Sequence, residues 1–506
     1  MFIDGSYSVL YIKYDGVFLP IGCLTSNSFS EETESLDSTT RENNGWKTNR
    51  LTNQSYKISF DGIDIEDYTS TTLFTLHRLT KIKRDRQLVE WKIQGKDGNY
   101  EYGVGFITSL SNDSSVGELS SFSGEIVGYG SPYDYLEKII KDYENRINAD
   151  GGTIEALDCL RKSIEEIINE EKEPTLALIP SGYANGKLYS VLPSNGDGDF
   201  DVTRGSNATR INKDGLIETV TGNTPRLNYP LIDGVVSGCP SLLLEPQRTN
   251  KLSTSNDFNG SGWNISNLTA TANQVISPDG TLNASKLEMT GNGSLRNQSE
   301  VSFNDGYAYS IFVKKGNSRY VTIRSAFFTQ SFNCGFDLDA LTAETNGRIE
   351  NYGNDWYRLS ITKDISGDAD KSGFFYLYLP NSLGSQTSVS GNYAYFYGGQ
   401  IEDGSYPTSY IPTPETSSST RLAETCNGAG NADTFNDSEG VLMAEISALL
   451  ETSRISLNDG TTNNNVRFSY DAGANRIDGV VFNGANQFVT QYTLPIQRTH
   501  LKPINP

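Results

Sequence analysis

Two histidines, His77 and His500, are all that the 506 residues provide. A Ser-His-Asp triad, an HExxH zinc site or a His-rich metal cluster cannot be built from that supply. His77 falls in a helical pattern and reads as its surface or core edge. Five cysteines, Cys23, Cys159, Cys239, Cys334 and Cys426, lie far apart with no CxxC and no metal-ligand spacing. An odd, scattered set predicts buried thiols rather than a disulfide framework. The glycine-rich GYGSPY at 128–133 fits no phosphate-binding pattern. The basic run Lys81–Arg86 could grip a polyanion, but a run that closes a helix first meets the helix macrodipole or a neighbour's carboxylates. Paired carboxylates for glycoside chemistry need a spatial separation of roughly 5–10 Å that sequence does not display. Asp337, Asp339, Asp355, Glu402 and Asp403 are the candidates, and surface carboxylates on turns are their plainer reading. Trp263, Tyr320, Trp356 and Tyr357 are the aromatics that could stack on a sugar ring, although strand alternation sends one of Trp356 and Tyr357 into the core. No catalytic residue, metal ligand or cofactor site follows from these patterns.

The elements that must position such residues are mainly β. The chain holds 48 Gly, 28 Tyr and 22 Phe with only 36% hydrophobic residues, and turn formers interrupt short alternating runs about every ten residues, the pattern of sandwiches and jelly rolls. Its length predicts three or four domains. A formal charge of −21 argues against a dedicated nucleic-acid binder, because phosphates are repelled at long range. The N-terminal MFIDGSYSVLYIKYDG has neither the basic nor the apolar region of an export signal, and no stretch approaches the ~18 apolar residues of a membrane span. Synthesis and assembly in the cytoplasm are therefore expected.

Residues 1–130 read as one unit of two sheets, one helix and one long polar loop. Ser6–Leu10 and Val17–Ile21 flank a Tyr14-Asp15-Gly16 turn. A polar stretch from Ser28 to Asn53 has Trp46 as its one large apolar anchor. Tyr56, Ile58 and Phe60 then alternate with polar residues. Leu73, Leu76, Leu79 and Ile82 recur at helical spacing, and strands are expected at Leu88–Gln94, Tyr102–Leu110 and Glu118–Gly130. The order Gly45-Trp46-Lys47, Asp61-Gly62, helix, then Gly103–Ser111 and Gly117–Gly130 resembles the tail tube (major tail) proteins of long-tailed phages, the lambda type. That resemblance covers about a quarter of the chain. It implies a β-sandwich or barrel, hexameric rings stacked into a tube, an inner wall facing DNA, and a long loop bridging rings. The bridging role would fall on Glu31, Asp37, Arg41, Trp46 and Lys47. It further implies as partners the chain itself, the tape-measure, terminator and tail-tip proteins, and the phage DNA passing through. The virion tail is the implied location.

Residues 131–174 carry two helical stripes, Leu136, Ile139 and Ile140, then Leu157, Leu160, Ile164 and Ile167, separated by Asp150-Gly151-Gly152. They are expected to form a two-helix linker. Residues 175–250 read as a β-rich connecting segment, and 251–415 resemble the carbohydrate-binding jelly rolls of phage tail fibres and glycan-active enzymes. Within it Tyr307, Tyr309, Ile311 and Val313 alternate with Ala308, Ser310, Phe312 and Lys314, predicting a half-buried strand. Residues 416–435 read as a linker. From Glu439 the chain resembles the opening half of a concanavalin-like or laminin-G-like unit, and PIQRTHLKPINP carries no strand pattern, as in a truncated or frame-shifted end. Bacterial-surface or mucus polysaccharide is the partner these modules imply. The alternatives are a tail-tip, baseplate or receptor-binding protein, or a glycan-active enzyme or adhesin built on the same modules.

Overall fold

The computed structural model describes residues 9–14, 17–37, 49–64, 73–94, 100–114, 119–130, 132–168, 174–327, 331–414, 416–435, 440–447, 453–461 and 463–493. The chain divides into two units. The first is Met1–Ala149 with Leu160–Ile179, and the second is Asp150–Cys159 with Pro180–Pro506.

In the first unit the strands are β1 (Leu10–Tyr14), β2 (Val17–Pro20), β3 (Leu24–Asp37), β4 (Asn49–Ile63), β5 (Leu88–Gln94), β6 (Tyr100–Asp113), β7 (Ser121–Gly128) and β8 (Tyr133–Asp134). They form one sheet in the order β2-β1-β5-β6-β7-β4-β3, with β8 on β6. The two sheets expected from the sequence are thus one curled, near-barrel sheet. It closes on its own core because alternate residues, Leu10, Ile12, Ile58, Phe60, Trp91 and Ile126, face inward and are almost fully buried. Helix α1 (Leu76–Arg84) covers this core with Leu76, Leu79 and Ile82, the stripe its spacing predicts. Its last turn holds Lys81, Lys83 and Arg84, which suits the negative end of the helix.

The stretch expected to be a loop is largely an antiparallel hairpin. Strand β3 pairs β4 from Leu24↔Gly62 to Asp37↔Asn49, with irregularities near Thr33 and Ser35. Its polarity hid it. Residues 31–35 and 53–55 are exposed on both faces of the ribbon, so no apolar alternation marks them.

Helices α2 (Tyr135–Ala149) and α3 (Leu157–Ile168) follow. Ile139, Ile140, Tyr143 and Ile147 on α2, and Leu160 and Ile164 on α3, are buried, and Arg161 pairs with Glu137.

The second unit opens with β9 (Thr153–Ile154), β10 (Gly182–Ala184), β11 (Lys187–Leu188) and β12 (Phe200–Thr203). Short hairpins follow: β13 (Ala208–Ile211) with β14 (Ile217–Val220), β15 (Leu227–Asn228) with β18 (Ser241–Leu242), and β16 (Leu231–Ile232) with β17 (Val235–Val236). After β19 (Arg248–Asn250) comes a jelly roll: β20 (Trp263–Ile276), β21 (Leu282–Asn297), β22 (Val301–Ser302), β23 (Gly306–Lys315), β24 (Tyr320–Phe327) and β25 (Ser331–Asp337). It is completed by β26 (Thr342–Ala343), β27 (Gly347–Asn351), β28 (Trp356–Asp364), β29 (Ser372–Tyr378) and β30 (Tyr393–Asp403).

The hairpin β20–β21 belongs to both layers of the sandwich. Ser285–Glu288 of β21 pair β30, while Leu295 and Arg296 pair β29. One layer runs β27-β28-β23-β30, the other β26-β25-β24-β29. The bend between them carries register shifts at Ser266/Leu268 and Thr271/Val275, as strands that change layers do. Gly293 sits in this bend, where a Cβ would lie 1.9 Å from the Ser266 carbonyl oxygen. Between the layers Tyr307, Ile311, Ile323, Phe336, Phe375 and Phe396 form the core.

Two expectations are corrected here. The 416–435 linker contains β31 (Ser419–Arg421), paired with β19, and β32 (Thr425–Asn427), paired with β12. Strand β23 is buried on both faces, because Phe312 packs outward against Trp356, Tyr397 and Tyr410 in a second cluster. The cysteines are corrected as well. Cys159 and Cys239 form a disulfide, Cα–Cα 5.7 Å, across a separation of 80 residues. No local spacing could show such a pair. Cys334 is a buried thiol, while Cys23 is exposed and Cys426 intermediate.

Last come β33 (Ser453–Asn458), β34 (Asn464–Asp471), β35 (Arg476–Asn483) and β36 (Asn486–Thr493), an antiparallel meander. Its register puts Ile455, Val466, Val481, Phe488 and Tyr492 on one face, and all five are exposed. No helix among the described residues is long and apolar enough to cross a membrane.

Candidate functional site

Two surfaces have the make-up of working surfaces, one in each unit. In the first unit it is the β3–β4 ribbon. Glu31, Glu32, Thr33, Glu34 and Ser35 on one strand, and Asn53, Gln54 and Ser55 on the other, are all exposed. Asn53 donates to Glu34 Oε2 at 3.0 Å. A two-stranded ribbon with no buried face is marginal by itself in water. Its base is anchored by aromatic contacts of Phe29 with Tyr56 and Trp91 and by the Tyr56 hydroxyl, which donates to the Val104 carbonyl. Of the expected bridging residues, Glu31 is exposed opposite Tyr56, and Asp37 ends β3 opposite Asn49. Arg41, Trp46 and Lys47 lie outside the described residues.

In the second unit, the outer face of the layer containing β23 is closed by the chain itself. Arg204, Arg226 and Arg421 are at most 1% exposed, and their charges are met by Glu245 and Glu424. Glu424 accepts from Arg204 at 2.6 Å and from Arg226 Nε at 2.8 Å. Arg226 and Arg421 each lie 2.9 Å from Glu245 Oε2. Ser409 donates its N–H and hydroxyl to Glu245 at 2.8 and 2.6 Å. Burial alone would raise the Glu245 carboxyl, yet Arg421, Arg226 and Ser409 hold it down at about 2. Glu402 is buried too. Desolvation raises its carboxyl even though it accepts from Gln400 and Thr408.

The outer face of the opposite layer is open. Along β29, Phe375 and Leu377 enter the core while Phe374, Tyr376 and Tyr378 point the other way. The rings of Tyr376 and Tyr378 stack, 6.1 Å apart at 11°. Arg324 lies opposite Tyr376 on β24 and Arg296 opposite it on β21. Both guanidinium groups sit over its ring, at 5.5 and 5.9 Å, and Arg296 lies 4.4 Å from the Phe374 ring. Continuing across the strands, Asn333 lies opposite Arg324 and Asn264 opposite Arg296. The row Asn333–Arg324–Tyr376–Arg296–Asn264 crosses five strands, about 19 Å at ~4.8 Å per strand.

The aromatics singled out from the sequence do not gather. Trp263 and Trp356 are 6% and 1% exposed, and their indole N–H groups donate to the Thr254 and Ile276 carbonyls. A stacking platform needs a free ring face, so both tryptophans are corrected to core residues. Tyr357 packs against the core. Tyr320 is half-buried on another strand, with the Arg319 guanidinium over its ring.

The candidate carboxylates have structural partners. Arg319 lies 2.7 Å from Asp337 and holds its carboxyl at about 2. Asp339 pairs with Lys315, Asp355 with Lys314 at 3.4 Å, and Asp403 with Lys251 at 2.7 Å. Among the described residues no three His, Cys, Asp or Glu gather as metal ligands, and His77 is an exposed helix residue. The ladder on β29 was missed, although FFYLYLP alternates three residues that enter the core, Phe375, Leu377 and Leu379, with Phe374, Tyr376 and Tyr378. Its arginine neighbours come from strands 50 and more residues away in sequence.

Residues 4–134 match the phage tail tube protein family model. Among solved structures, the chain is similar to the tail of an empty GTA particle refined helically with C6 symmetry: 22% identity, TM-score 0.23, covering 26% of this chain and 97% of that one. It is similar to the SPP1 tail tube at 8% identity and TM-score 0.22, covering 26% and 79%. A third similarity is to TmCBM61 in complex with β-1,4-galactotriose, at 12% identity and TM-score 0.21, covering 30% and 97%. No curated protein matches the chain.

Proposed function

We propose that this chain is a structural subunit of a bacteriophage tail tube, six copies to a ring and rings stacked end to end, carrying outward-facing modules that bind glycans. The match of residues 4–134 to the tail tube family model carries the reading. The exposed β3–β4 ribbon supports it, because an arm with no core of its own gains a buried face only when a neighbour covers it. DNA is the passing cargo of such a tube. Residues 1–130 hold 18 Asp/Glu and 12 Lys/Arg, a net −6, and repetition of that charge at every ring would keep DNA from sticking to the wall.

The second unit then lies outside the tube, since a lumen sized for a duplex has no room for it. Its open aromatic face supports glycan binding, with weak single contacts strengthened by repetition along the tail. The acting partners are the chain itself, the tape-measure, terminator and tail-tip proteins, and surface polysaccharide. Electron microscopy of the purified full chain tests the reading. Sixfold rings or tubes are expected, and a chain that stays monomeric at high concentration in virion-like salt overturns it. Rings that never stack would favour a tip or baseplate position. Release of reducing ends from a bound glycan would favour an enzyme.

A further inference from the structure

We propose that the open face of the jelly roll binds an acidic polysaccharide through Arg296 and Arg324, which flank Tyr376. The inference rests on the glycan-binding part of the function proposed above and names its ligand class and its site. The jelly roll has two outer faces, and the chain's own residues cover one of them. The other presents the row Asn333–Arg324–Tyr376–Arg296–Asn264 and, one step along the strands, Ser294 and Ser266, beside the buried Thr322 and Tyr378.

Three observations point to an anionic ligand. First, the two guanidinium groups have no carboxylate partner among the described residues, whereas Arg204, Arg210, Arg226, Arg319, Arg421 and Arg476 each have one. Arg324 donates to an amide, Gln386 Oε1, at 3.0 Å and to the Tyr378 hydroxyl, neither of them a carboxylate. In a chain of net charge −21, two uncompensated arginines side by side are a local reversal of sign. Second, four side-chain atoms on this face are buried without a hydrogen-bond partner: Arg296 Nε, Arg324 Nε, Asn333 Oδ1 and Thr322 Oγ1. Buried polar atoms are ordinarily satisfied, and a cluster of orphans on one face fits a ligand that supplies the missing partners. Third, no Asp or Glu occupies any of these register positions.

The aromatic floor selects the polymer. Guanidinium groups over Phe374 and Tyr376 are held in place without a carboxylate, so little side-chain entropy is lost when a ligand carboxylate takes two N–H donors from either. Between the arginines, the half-buried Tyr376 ring offers an apolar surface to the C–H groups of a sugar, and Asn333 and Asn264 offer amides to hydroxyls at either end. Single-stranded nucleic acid also combines phosphates with stacking. Here, though, the parallel tyrosine rings are only 6.1 Å apart, too close for a base to enter between them. A polysaccharide carrying carboxylates along its length fits better.

Affinity electrophoresis of the full chain tests the site, with four probes: polygalacturonate, the same polymer fully methyl-esterified, neutral β-1,4-galactan, and an oligothymidylate. Retardation by polygalacturonate and not by its methyl ester is expected. R296Q/R324Q should weaken that binding at least tenfold with an unchanged thermal transition, and R296K/R324K should recover part of it. The single variants R296Q and R324Q, each read beside its own melting curve, serve if the double variant unfolds. Equal binding of the ester, or binding indifferent to the glutamine substitutions, overturns the proposal, as does preference for the oligothymidylate. Binding to galactan alone overturns it while leaving the glycan-binding reading intact. Retardation by no glycan removes both.

Discussion

At the scale of single residues, the second unit depends on charges buried where sequence habits place them on the surface. Arg204, Arg226, Glu245 and the pair Arg421 and Glu424 come from four separate stretches of chain, and together they supply hydrogen bonds that water would otherwise supply. Glu424→Gln removes the charge that faces Arg204 and Arg226 and leaves the cations unmatched in a dry site. A loss of about 3–5 kcal/mol is expected, measured by urea unfolding at neutral pH, and a loss under 1 kcal/mol would contradict the network. Glu245 adds a pH dependence. Its carboxyl is held at about 2, below the ordinary 4.5, so the stability it brings is complete above pH ~5 and is lost as pH falls towards 2. A shift of that size corresponds to roughly 3 kcal/mol. Unfolding free energies measured from pH 6 to 2.5 should fall more steeply for the wild type than for Glu245→Gln, and parallel curves would refute the assignment. Glu402 acts in the opposite sense, since burial raises its carboxyl and the cost of its charge grows as pH rises.

At the scale of elements, the hairpin ribbon is the part whose purpose depends on copies of itself. Replacing residues 32–55 by an Asn-Gly turn would join Glu31 directly to its register partner Tyr56 and leave the core residues Ile58, Phe60 and Trp91 untouched. Single rings without long tubes are expected in electron micrographs, and tubes of unchanged length would refute the bridging role. The terminal meander makes a second prediction. Phe488 and Tyr492 are 59% and 63% exposed beside Val466 and Val481 on one face, an apolar patch that should bind a fluorescent apolar dye. F488S/Y492S should cut that fluorescence at least by half, and an unchanged signal would place the patch elsewhere. These elements also show where sequence was readable. Helix α1 and the jelly-roll strands were legible because burial on one face leaves a period of 3.6 or 2. The ribbon was not, because solvent on both faces erases the period. Strands β31 and β32 were not, because Arg421 and Glu424 carry the letters of a solvated linker, and their burial depends on partners as far as 175, 198 and 220 residues away. For the same reason Trp263 and Trp356, chosen as sugar platforms by residue type, proved to be core, while FFYLYLP held the open ladder.

At the scale of the whole molecule, each unit has a main core among the described residues, one around Trp91 and Phe60 and one between the jelly-roll layers. Each unit buries its own apolar residues, so heat should unfold them in two transitions rather than one. The disulfide offers a way to tell the transitions apart, because Cys159 and Cys239 both belong to the second unit. Closing a loop of 80 residues lowers the entropy of the unfolded chain by the equivalent of about 4 kcal/mol, and of the first unit only Leu160–Ile179 lie inside that loop. Calorimetry of the full chain with and without reductant should therefore move the second unit's transition down by several degrees and the first unit's by less. C159S/C239S should reproduce the shift without reductant and be insensitive to its addition, which separates loss of this bond from other effects of a thiol. A single transition, or an equal shift of both, would mean that the two cores unfold as one.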